Sequence, residues 1–324
     1  MKRNHIYRYR LGTLATVCPQ CGRRRFKPYV RSSDGTVVHP ACGRCNREFS
    51  CGYHLRPAEL FAQRGYADTH ISLASRSRSV MRPAIDTVAE STVAATMLRS
   101  PWGEPVHALL ARTFGMDTAS AVVADYRFAA GWLHRRKAAL YWLIDTCGRT
   151  RSGKLMLYDT HAHRLRHSRL PSTSYVHTLL RPGFRYEACY FGAHLLPRHS
   201  AARVLVVESE KTALFMACLL RRQGLWGRYI ALATGGCSAL ATDTARMRDT
   251  YYRGRDLARR HIVLAPDADA TDKWAEAADR LRTVCATVRL LDLRSLAAEA
   301  SDDPMDIALR SPDAVIDAIA ALRY

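Results

Sequence analysis

The stretch from residue 203 to residue 213 limits the possible folds of this chain most strongly. Its apolar run, residues 204–207, stops at Glu208 and gives way to a helical pattern. The run is too short for a helix, and its valine content is typical of a strand covered on both faces, as in a parallel sheet. Glu208 then falls at the carboxyl end of the strand, where open α/β sheets bind their ligands.

A second strand of the same kind, residues 261–265, is followed by Asp267 and Asp269. Because side chains alternate along an extended chain, the two aspartates are expected to point to the same side. If the two strands are neighbours in one parallel sheet, both aspartates converge with Glu208 at its carboxyl edge. Oxygen ligands with room for water and phosphate favour Mg²⁺ over zinc. In isolation, an Asp-x-Asp step after a strand is more often a helix cap with a solvated turn.

A third strand between these two, residues 229–234, ends in Gly235 and Gly236, which allow a sharp turn or a close approach of the backbone to phosphate. The order strand-Glu, strand-Gly-Gly, strand-Asp-x-Asp, with helices between, resembles the Toprim domain of bacterial-type primases, type IA topoisomerases and related nucleases. The resemblance covers residues 201–300. It implies an α/β fold, with a parallel sheet flanked by helices.

The same resemblance implies a metal-dependent phosphoryl-transfer site. Glu208 is the acid/base candidate, and Asp267 and Asp269 are the candidate ligands of a catalytic Mg²⁺ or Mn²⁺, with Glu208 close to the metal. Lys211, in the first turn of the helix, is a further catalytic candidate, although a lysine in this position is also typical of a solvated surface.

Five cysteines cluster near the amino terminus, and two Cys-x2-Cys pairs among them predict a zinc ribbon over residues 1–66. Each pair can bring two thiolates to one tetrahedral ion. Cys18 and Cys21 form the first pair. We favour Cys42 and Cys45 as the second, because a short knuckle with glycine turns easily around the metal, while Cys51 in place of Cys42 would also complete a four-thiolate site.

The predicted ribbon is strongly basic. Residues 1–66 carry 13 Lys and Arg against 3 Asp and Glu, with aromatic residues interleaved. Arginine together with aromatic side chains is typical of surfaces that bind a phosphate backbone and stack on unpaired bases. The consecutive Arg23, Arg24 and Arg25 are therefore candidate nucleic-acid contacts.

A Ser- and Arg-rich stretch, residues 67–100, is interpreted as a linker to a mixed α+β unit over residues 101–200. In that unit a glycine-containing turn between two predicted strands carries Arg149, Arg151 and Lys154. This turn resembles, more loosely, the basic subdomain that precedes Toprim in bacterial-type primases, which implies contacts with nucleoside triphosphate and template. A solvated hairpin turn is an equally good interpretation.

The formal charge of +20 and a sequence pI near 9.9 favour a polyanionic partner. The chain has no apolar run long enough to span a bilayer and no secretory core after its first residues, which predicts a cytoplasmic protein. Residues 301–324 are predicted to form carboxyl-terminal helices, because Asp302, Asp303 and Asp306 surround Pro304 in a capping pattern and Pro312 opens a second helix.

The order zinc ribbon, basic subdomain and Toprim resembles a compact bacterial-type DNA primase, particularly the short Toprim proteins of mobile genetic elements. The resemblance implies metal-dependent synthesis of RNA primers on single-stranded DNA from nucleoside triphosphates, in the replication or transfer of such an element, with replication or mobilisation proteins as further partners. Two alternatives stay open. A Toprim nuclease would use the same acids to cut DNA, and a non-catalytic recombination or replication module would bind DNA without them.

Overall fold

The protein is described here by a computed structural model, which covers residues 9–47, 51–63, 85–97, 104–165, 170–236, 239–240 and 256–322. Most of the predicted linker, residues 67–84 and 98–100, lies outside these ranges. The chain divides into two compact units, Met1–Arg82 and Pro83–Tyr324. The finer boundaries at residues 100, 200 and 300 stay predictions.

The first unit contains one antiparallel sheet of four short strands in the order β1-β2-β3-β4. Its small core holds Phe26, Cys18 and Cys45, with Tyr53 packed against them. The elements are β1 (Tyr9–Leu11), β2 (Phe26–Arg31), β3 (Gly43–Cys45), β4 (His54–Leu55) and helix α1 (Pro57–Gln63).

The second unit begins with three helices and an antiparallel sheet. The helices are α2 (Glu90–Met97), α3 (Pro105–Phe114) and α4 (Met116–Tyr126). The sheet has the order β5-β6-β7-β8, with β5 (Phe128–Leu133), β6 (Arg136–Ile144), β7 (Thr150–Met156) and β8 (Thr173–Tyr175), and the short helix α5 (Val176–Leu180) follows it. Residues 188–191 form no strand of the sheet, and Phe191 makes only an isolated bridge to Ala233.

The four-stranded parallel sheet follows in the chain, with the order β10-β9-β11-β12. Its elements are β9 (Arg203–Val207), α6 (Glu210–Arg222), β10 (Tyr229–Ala233), β11 (His261–Leu264), α7 (Thr271–Leu281), β12 (Thr287–Leu290), α8 (Pro304–Arg310) and α9 (Pro312–Ala321). The predicted parallel sheet with flanking helices is confirmed. Strand β9 is central, and all of its apolar residues are buried, as expected for a strand covered on both faces.

The two sheets of the second unit share one hydrophobic core. Along β6 the side chains alternate, so that Tyr141 and Leu143 join the cluster that contains β9, while Leu140 and Trp142 pack into a separate cluster on the other face. A buried hydrogen bond from the Tyr126 hydroxyl to the Ala231 carbonyl, 2.7 Å long, joins α4 to β10. The shared cluster, and not this bond, packs the antiparallel sheet against the parallel one.

No helix within the described ranges has the length and apolar character needed to cross a bilayer.

Candidate functional site

The carboxyl edge of the parallel sheet gathers the predicted acids. Strands β9 and β11 are hydrogen-bonded parallel neighbours, with Val206 paired to Leu264. Glu208 follows β9 and is 5% exposed, whereas Asp267 follows β11 and is half-buried. The sequence left the adjacency of these strands as a condition. The structure meets that condition, and both residues follow strands that end at the same edge.

Asp269 reaches this edge in a different way from that expected. Asp267 is extended and immediately precedes a 3₁₀ turn, Ala268–Ala270, so Asp269 lies in that turn and not on an extended chain. The alternation argument for the two aspartates was therefore wrong, because the strand ends before them, at Leu264. Asp269 is exposed, and its charge still acts on Asp267.

The pKa of Asp267 is raised to about 9, first by burial and then by the negative charges of Glu208, Asp303, Asp269 and Asp306. Five carboxyl groups thus crowd into one region, and a bound cation would relieve their repulsion. They do not form a closed cage, since no three of these five residues bring one ligand oxygen each within 4.8 Å of one another. Magnesium that keeps water and phosphate ligands needs only one or two carboxylates, so this donor set fits it.

Asp303 connects the acidic edge to the carboxyl-terminal helices. Its carboxylate caps α8 by accepting from the backbone N–H groups of Met305 and Asp306, and it also accepts from the Thr212 hydroxyl at 2.8 Å. The capping role was predicted from the sequence. The bond to Thr212, in the first turn of α6, was not predicted, because no local sequence pattern links Thr212 to Asp303.

Glu210 was not among the predicted site residues. It is the most buried acid at this edge, at 2% exposed. The ammonium group of Lys154 donates to both of its carboxylate oxygens, at 2.8 and 3.0 Å, and to the Gly235 carbonyl at 3.3 Å. Lys154 was predicted to bind nucleotide, but the structure places it inside the protein. Only its position in the basic, glycine-containing turn hinted at a role near the site.

The paired glycines form a turn beside Glu208. Gly235 has a φ of +86°, which strongly favours glycine, and its N–H donates to the Glu208 carbonyl at 2.9 Å. Lys211 is half-buried, and its ammonium group donates to the Ala162 carbonyl at 3.2 Å. These residues all border the acidic edge.

The basic turn before Lys154 is organised by Asp145, which accepts from the side chains of Arg149 and Arg151 and from the backbone of Cys147. The Arg149 side chain is 55% exposed and remains available to a ligand. Arg151 is 6% exposed at its side chain and lies between Asp145 and Glu187. The expectation that Arg151 contributes to a surface is corrected, because a buried guanidinium needs carboxylate partners and finds them here.

Four cysteines form a candidate metal centre in the first unit. The sulfur atoms of Cys18, Cys21, Cys45 and Cys51 all lie within 4.8 Å of one another, with Cys18 and Cys51 at 3.7 Å and Cys21 and Cys45 at 4.0 Å. Tetrahedral zinc with Zn–S bonds of about 2.3 Å requires sulfurs about 3.8 Å apart. The four thiols therefore fit a structural zinc ion.

The preference for Cys42 over Cys51 is corrected. Residues 43–45 form strand β3, and positions three apart on an extended chain point to opposite faces. Cys42 is therefore turned away from Cys45, and its sulfur lies 3.4 Å from the Leu55 carbonyl. The N–H groups of Cys51 and Gly52 donate to the Arg47 carbonyl, and Cys51 lies at the metal site instead.

Arg23, Arg24 and Arg25 follow the first cysteine pair, and all three are exposed. The Arg23 and Arg25 carbonyls accept from Cys18 and Asn46, so the backbone under these side chains is fixed by the ribbon. The structure thus presents the three arginines to solvent on one short segment.

Two family models match the chain. One, described as a domain of unknown function (DUF6371), matches residues 105–268, and the other, a zinc beta-ribbon finger (Zn_ribbon_16), matches residues 4–66. The second match agrees with the four-cysteine site. No curated protein matches the chain.

Several solved primase structures are similar to the chain at low identity. The zinc-binding and RNA polymerase domains of the Aquifex aeolicus primase have a TM-score of 0.40 at 13% identity, covering 96% of this chain and 80% of that one. The RNA polymerase domain of Mycobacterium tuberculosis primase DnaG scores 0.40 at 14% identity, covering 72% and 81%. The primase fragment of the bacteriophage T7 primase-helicase scores 0.38 at 17% identity, covering 61% and 68%.

Proposed function

This chain belongs to the DUF6371 family, described as a domain of unknown function, and we propose that it is a primase-like nucleotidyltransferase that joins nucleotides on single-stranded DNA. In this proposal residues 201–300 are a Toprim domain, residues 101–200 are the basic subdomain and the ribbon binds template. The observation that carries it is the pairing of β9 with β11, which puts Glu208 and Asp267 at one sheet edge beside a left-handed glycine turn.

Each site residue has a separate role in the proposed reaction. Asp267 and Asp269 would hold Mg²⁺, with Glu208 beside them, and the ion when bound supplies positive charge against the triphosphate. Glu208 accepts the proton of the attacking hydroxyl, for which a buried carboxylate at the edge of the site is suited. The Gly235–Gly236 turn lets the backbone approach a phosphate closely. Arg149, which is exposed, contacts the nucleotide or template.

The test is incubation of the purified protein with single-stranded DNA, Mg²⁺ or Mn²⁺ and labelled nucleotides, with new oligonucleotides and template integrity measured on one gel. We expect short new products from the wild type and none from Glu208→Gln or Asp267→Asn, while binding of DNA is largely kept. Asp279→Asn is the matched control, since Asp279 lies on α7 after the acidic turn with its side chain 73% exposed.

One result would contradict the proposal, and two others would identify an alternative function. Primer synthesis by Asp267→Asn contradicts the proposal. Template cleavage that both site variants lose would identify a nuclease, and tight DNA binding without any chemistry would identify a non-catalytic module.

A further inference from the structure

We infer that Lys154 and Glu210 form an internal ion pair that positions the acidic edge, and that Lys154 is a positioning residue and not a nucleotide contact. The inference rests on the proposed function only in its first test, which measures primer synthesis. Its structural basis is a set of contacts between three separate parts of the second unit.

The contacts use the full capacity of the lysine. An ammonium group has three N–H donors, and Lys154 has three acceptors: the two Glu210 carboxylate oxygens and the Gly235 carbonyl. The side chains of Lys154 and Glu210 are 7% and 2% exposed. A phosphate could reach this ammonium group only if the existing bonds were broken.

The three parts joined by the pair are strand β7, the first turn of α6 and the loop after β10. Glu210 is two residues beyond Glu208, and the Gly235 N–H donates to the Glu208 carbonyl at 2.9 Å. The backbone of Glu208 is therefore tied to both acceptors of Lys154. There is little room for adjustment, because a Cβ atom at Gly235 would lie 3.3 Å from the Glu210 carboxylate. Movement of the ion pair would shift the candidate base and the glycine turn together.

Stability and positioning can be separated by changing both partners. Removal of one charge leaves the other buried and uncompensated, which destabilises a protein strongly, whereas replacing both partners by uncharged side chains of similar volume leaves no unpaired buried charge. The double variant Lys154→Met/Glu210→Gln therefore keeps the packing but loses the three directed bonds of the ammonium group. The single variants complete a double-mutant cycle.

The experiment measures thermal unfolding, DNA affinity, and kcat and KM for nucleotide in primer synthesis. For the double variant we expect a Tm close to that of the wild type, unchanged DNA affinity, and a kcat lower by about 100-fold, the size of effect that a displacement of about 1 Å produces. The KM for nucleotide should change little, because Lys154 does not hold the substrate.

The control is a second ion pair on the same helix. Arg221, in the last turn of α6, is paired with Asp125 of α4. The variant Arg221→Met/Asp125→Asn also releases α6 from a neighbour, but at the end remote from Glu208. We expect its Tm to stay close to that of the wild type, because a partly exposed ion pair contributes little to stability, and its kcat to be unchanged.

An unchanged kcat in the Lys154→Met/Glu210→Gln protein would overturn the inference, and so would a raised KM with kcat retained, which identifies a substrate contact. If the wild type joins no nucleotides, the proposed function fails, and Mn²⁺ binding followed by electron paramagnetic resonance decides the inference. Weaker Mn²⁺ binding by the double variant supports positioning of the edge. Equal affinity, or no Mn²⁺ binding by the wild type, overturns it.

Discussion

Glu104 is a buried carboxyl group outside the candidate site. It precedes α3, is completely buried, and accepts from the His107 N–H at 2.9 Å. Burial raises the pKa of Glu104 from 4.5 to about 7. The backbone N–H groups of His107 and Val106 and the charge of Lys137 act in the opposite direction. The native protein therefore holds this proton more tightly than the unfolded chain.

Stability should consequently fall as the pH rises from about 4.5 to about 7, because in this interval the native state binds more protons at Glu104 than the unfolded state. Glutamine cannot ionise, so the unfolding free energy of Glu104→Gln should rise by up to about 3 kcal/mol relative to that of the wild type across the same interval. Urea unfolding of both proteins at several pH values between 4 and 8 measures this difference.

Glu90→Gln serves as the comparison, because Glu90 lies in the first turn of α2 with its side chain 58% exposed. A constant difference in unfolding free energy between Glu104→Gln and the wild type across the interval would contradict the raised pKa.

Individual residues differed in how far the sequence identified them. Glu208 and Asp267 could be found because each ends an apolar run, a signal that lies within a few neighbouring positions. Glu210 could not, since its partner Lys154 is 56 positions away and only the folded chain brings them together. Arg151 was misplaced for the same reason: a basic residue in a turn gives no sign that carboxylates of other segments enclose it.

At the scale of elements, the zinc ribbon shows most clearly which features the cysteine spacing predicted and which it did not. Its existence followed from cysteine spacing, but the choice of the fourth ligand depended on whether residues 42–45 form a knuckle or a strand. They enter strand β3, which pairs with β2 and β4, and this pairing turns Cys42 out of the metal group. Spacing alone does not contain that information.

We expect Cys51→Ser to lose zinc and Cys42→Ser to retain one zinc ion per chain. Loss of one thiolate leaves three ligands and removes part of the metal's contribution to folding, whereas Cys42 contributes only packing. Zinc content measured by plasma mass spectrometry after dialysis against a weak chelator distinguishes the two variants. The reverse result would restore Cys42 as the ligand.

At the scale of the whole molecule, the sequence predicted the parallel sheet with its helices better than the packing of that sheet against the antiparallel one. Hydrophobic periodicity shows which face of β6 is apolar, and here both faces are. It does not show that one face shares its core with the parallel sheet, because that depends on contacts such as Tyr141 against Phe191, which bridges to Ala233 of β10. The local elements were therefore predictable, while the packing of the antiparallel sheet against the parallel one was not.

The net charge of +20 leads to a prediction about binding. If Arg23, Arg24 and Arg25 bind the phosphates of single-stranded DNA, each releases counterions from the strand, and each contributes about 0.7 to the slope of log affinity against log salt concentration. Replacing all three by glutamine should then reduce the magnitude of that slope by about 2. Fluorescence anisotropy with a labelled oligonucleotide at several NaCl concentrations measures it.

A general effect of charge is separated from a specific surface by a second triple variant with the same change in net charge. It replaces three exposed arginines of the second unit by glutamine, Arg112, Arg198 and Arg228. We expect its slope to equal that of the wild type, because phosphate contacts and not total charge determine the number of counterions released. Equal reductions in both triple variants would mean that the ribbon arginines are not a distinct binding surface.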